Sequence, residues 1–431
     1  MKKKPTVFGL YFPNLLNIYL TKETGEIPYI LHRDYNYFSF IMCLKMDSYP
    51  NLKTEVPGLK LVFLKKKLTK LTNKVMQISS RFPSKIQSIL SKIKFSSIIS
   101  YLNDFLVILD NLKMIFYYFK QIEVLQVYHL LWRSLWIGLL YRIVNEKGVL
   151  YLKLDEDPGI IEKYQKSPNS FYKIKTLNNY FMRLADFDLI SIETMKLYHF
   201  LRTQHPLLKN FSEKIFYSPS GFDKLALEKA RPTDSIIEQK SNIILHVGRI
   251  GTLQKRTDII LNAFTSLCEL YPSWKLIIIG ASEKEFVTQL ENGIANHPHQ
   301  IIYAGFISDR NTLYDYYKQA KLIAIPSSYE SFGLVAVEAG FFETVVVGSD
   351  IPSLREITND GQFGFLSPPN DLSSFTYSLE YALNHPDEIT KKAQDFRKYL
   401  NLEYDWSKIC EKLVERIEEL KQNKQGQKTV N

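Results

Sequence analysis

From residue 242 onward, short apolar runs alternate with longer amphipathic stretches. The pairs are NIILHV and DIILNAFTSLCEL, WKLIIIG and EKEFVTQLEN, IIYAGF and RNTLYDYYKQA, KLIAIP and FGLVAVEAGFF, then TVVVGS and SLREI. Apolar runs of four to eight residues suit buried strands, and the longer stretches suit helices. This half therefore predicts five strand and helix pairs in a doubly wound parallel sheet. Helices over DLSSFTYSLEYALNH, ITKKAQDFRKYL and WSKICEKLVERIEELK follow, and the polar tail QNKQGQKTVN is expected to fray.

The first half has the same rhythm less regularly. TVFGLYF (6–12), FSFIMCL (38–44), LKLVFL (59–64), EVLQVY, GVLYLKL, FDLISIE (187–193) and KIFYSP (214–219) read as strands. ETGEIPYILH, residues 98–119 and LWRSLWIGLLYRIV read as helices between them, which is again the pattern of a parallel sheet. SPSGFD (218–223) reads as a turn and linker. A chain of 431 residues is long enough for two domains of this kind.

Composition narrows the class. Hydrophobic residues at 45% and charged residues at 23% are ordinary globular values. Cys43, Cys268 and Cys410 are widely spaced, so neither a disulfide framework nor a zinc site is indicated, and a reducing cytoplasmic setting is expected. MKKKPTVFGLYFPN lacks the apolar core and cleavage site of a signal peptide. The most apolar window, 124–141, contains Arg133 and reads as a strand running into a helix rather than a membrane span.

The net charge of +10 is concentrated in one place. Residues 56–103 hold ten Lys and Arg and no Asp or Glu, and removing them leaves 45 basic against 45 acidic residues. Leu68, Leu71, Val75 and Ile78, then Ile86, Ile89, Leu90 and Ile93, recur at helical spacing, predicting two short basic amphipathic helices. An anionic membrane surface suits them, at on the order of 1 kcal/mol per basic residue near the surface. Nucleic acid is not expected, because no aromatic-interleaved or groove-reading motif accompanies the charge. Solvated surface helices are the plainer alternative.

Candidate chemistry collects at strand ends. With a helix starting near Phe332, Glu330 falls in the loop before it and Glu338 falls about two turns inside, roughly 9 Å along the axis. Unpaired N–H groups at a helix N-terminus favour an anion, Gly333 lets a ligand approach the backbone, and a carboxylate can accept from both vicinal hydroxyls of a ribose. In GRIGTLQKR, Gly248 and Gly251 allow tight turning while Arg249 and Lys255 supply cations. Together these describe a nucleoside diphosphate site, although each residue alone reads equally well as structural. In the first half, Thr21, Lys22 and Gly25 lie at the end of the first strand, and His129 follows the strand EVLQVY, a position from which it could meet a reacting sugar. Asp155 and Asp157 have the look of a magnesium or manganese pair, but short acidic runs at strand ends are common.

These motifs resemble the retaining nucleotide-sugar glycosyltransferases of GT-B architecture, in particular glycosyltransferase family 4. GRIGTLQKRTDIILNAF, PSSYE with the Glu-x7-Glu block ESFGLVAVE, GSDIPSLREI and GFLSPPND stand in that family's order. YFPN, LTKETGEIPYIL, YLKLD and SPSGFD look like bacterial polysaccharide-assembly members. Two departures are the run Glu343 to Val347, where the family has a Gly-Thr-Pro-Val-Val type segment, and the absence of the usual glycine pair in the first loop.

The resemblance implies two Rossmann-like domains facing across a cleft. Residues 1–223 would form an acceptor-side domain with a basic helical insertion at about 60–100, and residues 224–402 a nucleotide-sugar domain. Residues 403–431 would form a helix packing back towards the first domain and a frayed tail. Arg249 and Lys255 would neutralise the donor diphosphate beside Gly248, Glu338 would hold the ribose, Glu330 with the backbone of Ser331, Phe332, Gly333 and Leu334 would hold sugar and phosphate, and His129 would touch the sugar. The implied reaction is metal- and cofactor-independent hexosyl transfer with retention, to a saccharide or lipid-linked saccharide at the inner face of the plasma membrane. A sugar-nucleotide epimerase on the same scaffold, and a non-catalytic subunit partnering an active glycosyltransferase, are the alternatives.

Overall fold

The computed structural model describes residues 4–68, 77, 87, 95–129, 131–155, 161, 186–205, 208–230 and 237–426. Its strands are numbered in chain order: β1 (Thr6–Tyr11), β2 (Tyr37–Leu44), β3 (Lys60–Leu64), β4 (Val124–Tyr128), β5 (Val149–Leu154), β6 (Leu189–Ile192) and β7 (Ile215–Tyr217) form the first sheet. β8 (Ser241–Val247), β9 (Lys275–Ile279), β10 (Ile301–Gly305), β11 (Ala320–Ile325), β12 (Val345–Ser349) and β13 (Gly364–Ser367) form the second.

Every residue of β4, β5 and β6 is buried, so these strands are covered on both faces. That burial on both sides is what parallel sheets between helix layers require. The period of two sends alternate side chains into separate cores: Leu125 and Val127 enter one, Val124 and Tyr128 the other. The second sheet repeats the device, with Ile244, Leu276 and Leu322 on one face and Leu245, Ile277 and Ile323 on the other. The first sheet has seven parallel strands in the order β3-β2-β1-β4-β5-β6-β7, and the second has six in the order β10-β9-β8-β11-β12-β13. Both orders reverse next to their first strand, the place where open sheets leave a crevice.

Three details depart from the sequence expectations. The second sheet gains a sixth strand, β13, only four residues long and therefore silent to periodicity. The helix after β11 runs Leu334–Phe341 instead of starting near Phe332, because Gly333 takes a left-handed conformation (φ 110°) and turns the chain into it. Glu338 is thus one turn inside, roughly 6 Å along the axis. QNKQG does not fray: the last helix runs Trp406–Gly426, and Lys424 Nζ lies 2.9 Å from Asp188. The basic segment's two expected helices lie outside the described residues, apart from Gln77 and Gln87.

SPSGFD is more than a linker. Phe222 donates its N–H to Tyr404 O at 2.9 Å and accepts from Trp406 N–H at 3.0 Å, so the outgoing and returning chains pair where they cross between the domains. A Cβ on Gly221 would lie 2.3 Å from the Tyr404 carbonyl oxygen, so the crossing needs glycine there. Beyond it, Trp406, Ile409, Cys410, Leu413 and Ile417 enter the core of the first domain. Arg33 to Asp223 (2.7 Å) and the bonds from Met195 N–H and Tyr217 OH to Glu356 (2.7 and 2.6 Å) also join the parts.

Among the described residues, no helix is long and apolar enough to cross a membrane. The window at 124–141 is β4 followed by the Trp132–Val144 helix, as its Arg133 implied.

Candidate active site

The carboxyl ends of the two sheets face each other, and between them lies a cavity of about 670 Å³. The first domain contributes Ile18, Tyr19, Thr21 to Glu23, Asp155, Glu193 and Ser220; the second contributes the loops after β8, β9, β10 and β11 and the first turn of the helix behind Gly333.

The two second-domain loops are bound to each other. Ser328 N–H donates to Gln254 O at 2.8 Å, and the Gln254 amide donates to Tyr329 O at 3.2 Å. Arg249, exposed at the rim, is held by the Gln254 side-chain oxygen. Lys255 Nζ lies 2.6 Å from Oε1 of Glu330, which also accepts from Ser327 Oγ at 2.7 Å. Glu330 is buried and Lys255 is mostly so, and a pair this close in a low-dielectric wall holds both groups in fixed geometry. The loop can run so tightly because of its glycines: a Cβ on Gly280 (φ 144°) would sit 1.7 Å from the Gly248 carbonyl oxygen.

A buried polar relay supports this loop from beneath. His246 Nδ1 is 3.0 Å from Ala324 O, which can only accept, so Nδ1 carries the proton. Nε2, 3.0 Å from Thr257 Oγ1, then accepts, leaving that hydroxyl to receive the Gly251 N–H at 3.2 Å. Burial pushes the His246 pKa down to about 4, so the neutral ring that this scheme needs is the stable one.

Glu338 faces the cavity and accepts from Arg310 Nη2 at 3.0 Å. Arg310 also donates Nη1 to Thr21 O at 3.3 Å, and its Nε is 3.4 Å from Glu55, both in the first domain. Ser331, Gly333 and Leu334 line the cavity, whereas the buried Phe332 ring packs on Tyr404 at 5.6 Å and leaves its backbone to the site.

The first-domain wall of the cavity carries three carboxylates. His129 is not among the cavity-lining residues. It takes a left-handed conformation (φ 57°) directly after β4, and its N–H turns onto Lys153 O at 2.9 Å, so the chain leaves the sheet there. Asp155, at the end of the adjacent β5, lines the wall together with Glu23 and Glu193. Fully buried Lys153 reaches Glu193 at 3.0 Å, and Ser220 Oγ donates to the same carboxylate at 2.7 Å. Burial first, then the charge of Glu23, raises the Asp155 pKa. Asp157 lies outside the described residues, and no three His, Cys, Asp or Glu among the described residues are grouped to hold a metal. Gly25 belongs to the first turn of the Glu23–Asp34 helix, where a Cβ would meet Leu20 O at 2.2 Å.

Sequence spacing marked Gly248, Arg249, Lys255, Glu330 and Glu338, and all five line this one cavity. Gln254, Ser327 and Glu23 lie inside quoted motifs without being singled out, and Arg310, His246 and Glu193 carried no motif. Arg310 was nevertheless findable: it follows strand IIYAGF, at the same sheet edge as the two loops already singled out.

Comparison with known proteins agrees with this fold. Residues 229–401 match the Glycosyl transferases group 1 family. An uncharacterized glycosyltransferase of Methanocaldococcus jannaschii is 28% identical over 181 residues, covering 41% of this chain and 45% of the relative. A phosphatidyl-myo-inositol mannosyltransferase of Mycobacterium leprae is 27% identical over 197 residues, 46% of this chain and 51% of the relative. The matched region thus spans about half the length of these relatives. Whole-chain structural similarity extends to a glycosyltransferase from Rickettsia africae (TM-score 0.67, 16% identity, 97% of this chain and 99% of that one). It extends as well to Anabaena HepE crystallised with UDP and glucose (TM-score 0.62, 15% identity, 96% and 100%). By sequence, residues 229–401 of the second domain match the group 1 glycosyltransferases, and across both domains the chain shares the GT-B fold of solved glycosyltransferases.

Proposed function

We propose that the protein transfers a hexose from a nucleoside-diphosphate sugar to a hydroxyl of a lipid-linked saccharide, with retention, in assembly of a bacterial polysaccharide. One observation carries this reading: Arg249, Lys255, Glu330 and Glu338 converge on a single cavity of about 670 Å³ at the start of a helix. That volume is within the range of about 300–1,000 Å³ usual for small-molecule sites.

In this proposal Arg249 and Lys255 take the charge of the diphosphate as the nucleotide leaves, and fixed cations of this kind are the largest catalytic contribution such a site can make. The backbone from Ser331 to Leu334 adds the N–H groups of the helix mouth. Glu338 accepts the ribose hydroxyls. The acceptor hydroxyl attacks the anomeric carbon on the face from which the phosphate departs, and the departing phosphate oxygen takes its proton. On this reading the transfer needs no metal or cofactor, the diphosphate being met by Arg249, Lys255 and the N–H groups of the helix mouth. The sugar is proposed to lie towards Glu330, with His129 and Asp155 as its first-domain neighbours.

The acceptor and location rest on charge and resemblance. The basic segment at 60–98 would dock on the anionic inner face of the plasma membrane, bringing the cleft to a lipid-linked acceptor. The mannosyltransferase relative, named for a phosphatidyl-inositol acceptor, supports this choice. Calorimetric titration with UDP, GDP and ADP tests the donor site: one nucleotide is expected to bind to the wild type and to bind Glu338→Ala about 10–100-fold more weakly. A folded protein that binds none would overturn the reading.

A further inference from the structure

Arg310 is the first residue of the Arg310–Gln319 helix, whose cap is Asp309 accepting from Thr312 N–H at 2.8 Å. A cation at that end opposes the helix dipole. Its own helix therefore does not account for where the guanidinium points. Its partners do: Glu338 Oε1 at 3.0 Å in the second domain, and Thr21 O at 3.3 Å with Glu55 Oε2 at 3.4 Å in the first. The Tyr314 hydroxyl, accepting from Nε at 2.6 Å, steadies the stem.

The first-domain partners form one unit. Thr21 ends the turn Asn17–Thr21, and Glu55 follows the short helix Asn51–Thr54. Asn51 N–H donates to Asn17 Oδ1 at 3.0 Å and Asn51 Nδ2 donates to Asn17 O at 3.2 Å, so turn and helix move together. The same turn runs on into Lys22 and Glu23 on the cavity wall.

We propose that Arg310 is a positioning residue that ties the nucleotide end of the cleft to the first domain. It engages Oε1 of Glu338 through Nη2, while Nη1 donates to Thr21 O and the guanidinium charge lies 3.4 Å from Glu55. A nucleotide that orders Glu338 thereby orders the opposite wall, and the two halves of the site come into register around the donor. This rests on the reading that Glu338 holds the ribose. Lysine cannot substitute, because a point charge does not span three directions as a planar fork does.

The experiment reads domain separation directly and needs no acceptor. The native cysteines are buried, so spin labels are attached at Tyr117→Cys and Tyr377→Cys, both exposed and one in each domain. Distance distributions are measured by pulsed dipolar spectroscopy with and without UDP, GDP and ADP, in wild type, Arg310→Met, Arg310→Lys and Glu55→Gln backgrounds. The distribution is expected to narrow when the bound nucleotide is added to wild type. Glu55→Gln is expected to bind that nucleotide within about twofold of wild type yet fail to narrow, and Arg310→Lys to bind it without narrowing. Narrowing that persists in Glu55→Gln and Arg310→Met overturns the proposal. So does a complete loss of nucleotide binding in Arg310→Met, which would make Arg310 a ligand contact. Should wild type bind none of the three nucleotides, the ribose reading fails by itself. The tie is then judged without ligand: a broader distribution in Glu55→Gln supports it and an unchanged one removes it.

Discussion

Lys255 Nζ sits 2.6 Å from Oε1 of Glu330, joining two loops whose residues are 75 positions apart in sequence. The bond unites a cation from the loop after β8 with a carboxylate from the loop after β11. Because strands 8 and 11 are neighbours in the parallel sheet, both loops emerge side by side at one edge. The cation proposed to meet the diphosphate is thereby held on a buried anchor rather than on a free side chain.

Replacing Lys255 by Ala separates catalysis from folding. Transfer from the bound nucleotide-sugar is expected to fall by about 10²–10³-fold, the usual effect of removing one preorganised charge. Glu330 keeps its Ser327 bond, so the stability loss should stay near 1–3 kcal/mol. Single-turnover transfer and urea unfolding on the same preparation check this, and wild-type turnover would remove Lys255 from its assigned role.

Glu338→Ala should weaken binding of the matching nucleoside diphosphate by about 10–100-fold, from the loss of hydrogen bonds to a charged group. Glu338→Gln should retain part of it, since one acceptor oxygen remains. Calorimetry on the two variants measures the difference.

Gly280→Ala tests the loop backbone. With φ at 144° and a Cβ position 1.7 Å from Gly248 O, the substitution must displace the Gly248 loop that carries Arg249. Nucleotide affinity and thermal stability should fall together, in contrast to Lys255→Ala.

His246 predicts an acid-sensitive second domain. Its pKa is about 4 when folded and near 6.5 when free, so the unfolded chain binds the extra proton between those values. Its stabilising contribution is complete above about pH 6.5 and is lost as pH falls towards 4, to an extent of roughly 3 kcal/mol. Urea unfolding at pH 7.5 and 5 should show the loss in wild type and a flatter profile in His246→Gln.

Charge reversal at Lys66, Lys67 and Lys70 should release the protein from vesicles rich in anionic lipid. Co-sedimentation that does not change would favour a solvated surface role for the basic segment.

Much of the architecture was written in local pattern. Strand and helix alternation is a property of consecutive residues, so two parallel α/β sheets were readable from it; a four-residue strand such as β13 was too short to register. Motif spacing likewise located Arg249, Lys255, Glu330 and Glu338, because loops after parallel strands share one edge. Other features depend on partners remote in sequence. The left-handed turn of His129 after β4, and the gathering of Glu23, Asp155 and Glu193 on one wall, depend on elements far apart in sequence, which periodicity does not encode. The neutral tautomer of His246 depends on Ala324 and Thr257. Arg310 is a surface arginine by composition and becomes a link between domains only when Glu55, Thr21 and Glu338 are brought around it. Sequence determined the elements and the edge at which ligands meet them. Tertiary structure decided which charges face one another there, because Coulomb energy and hydrogen bonding depend on separations in space that chain distance does not specify.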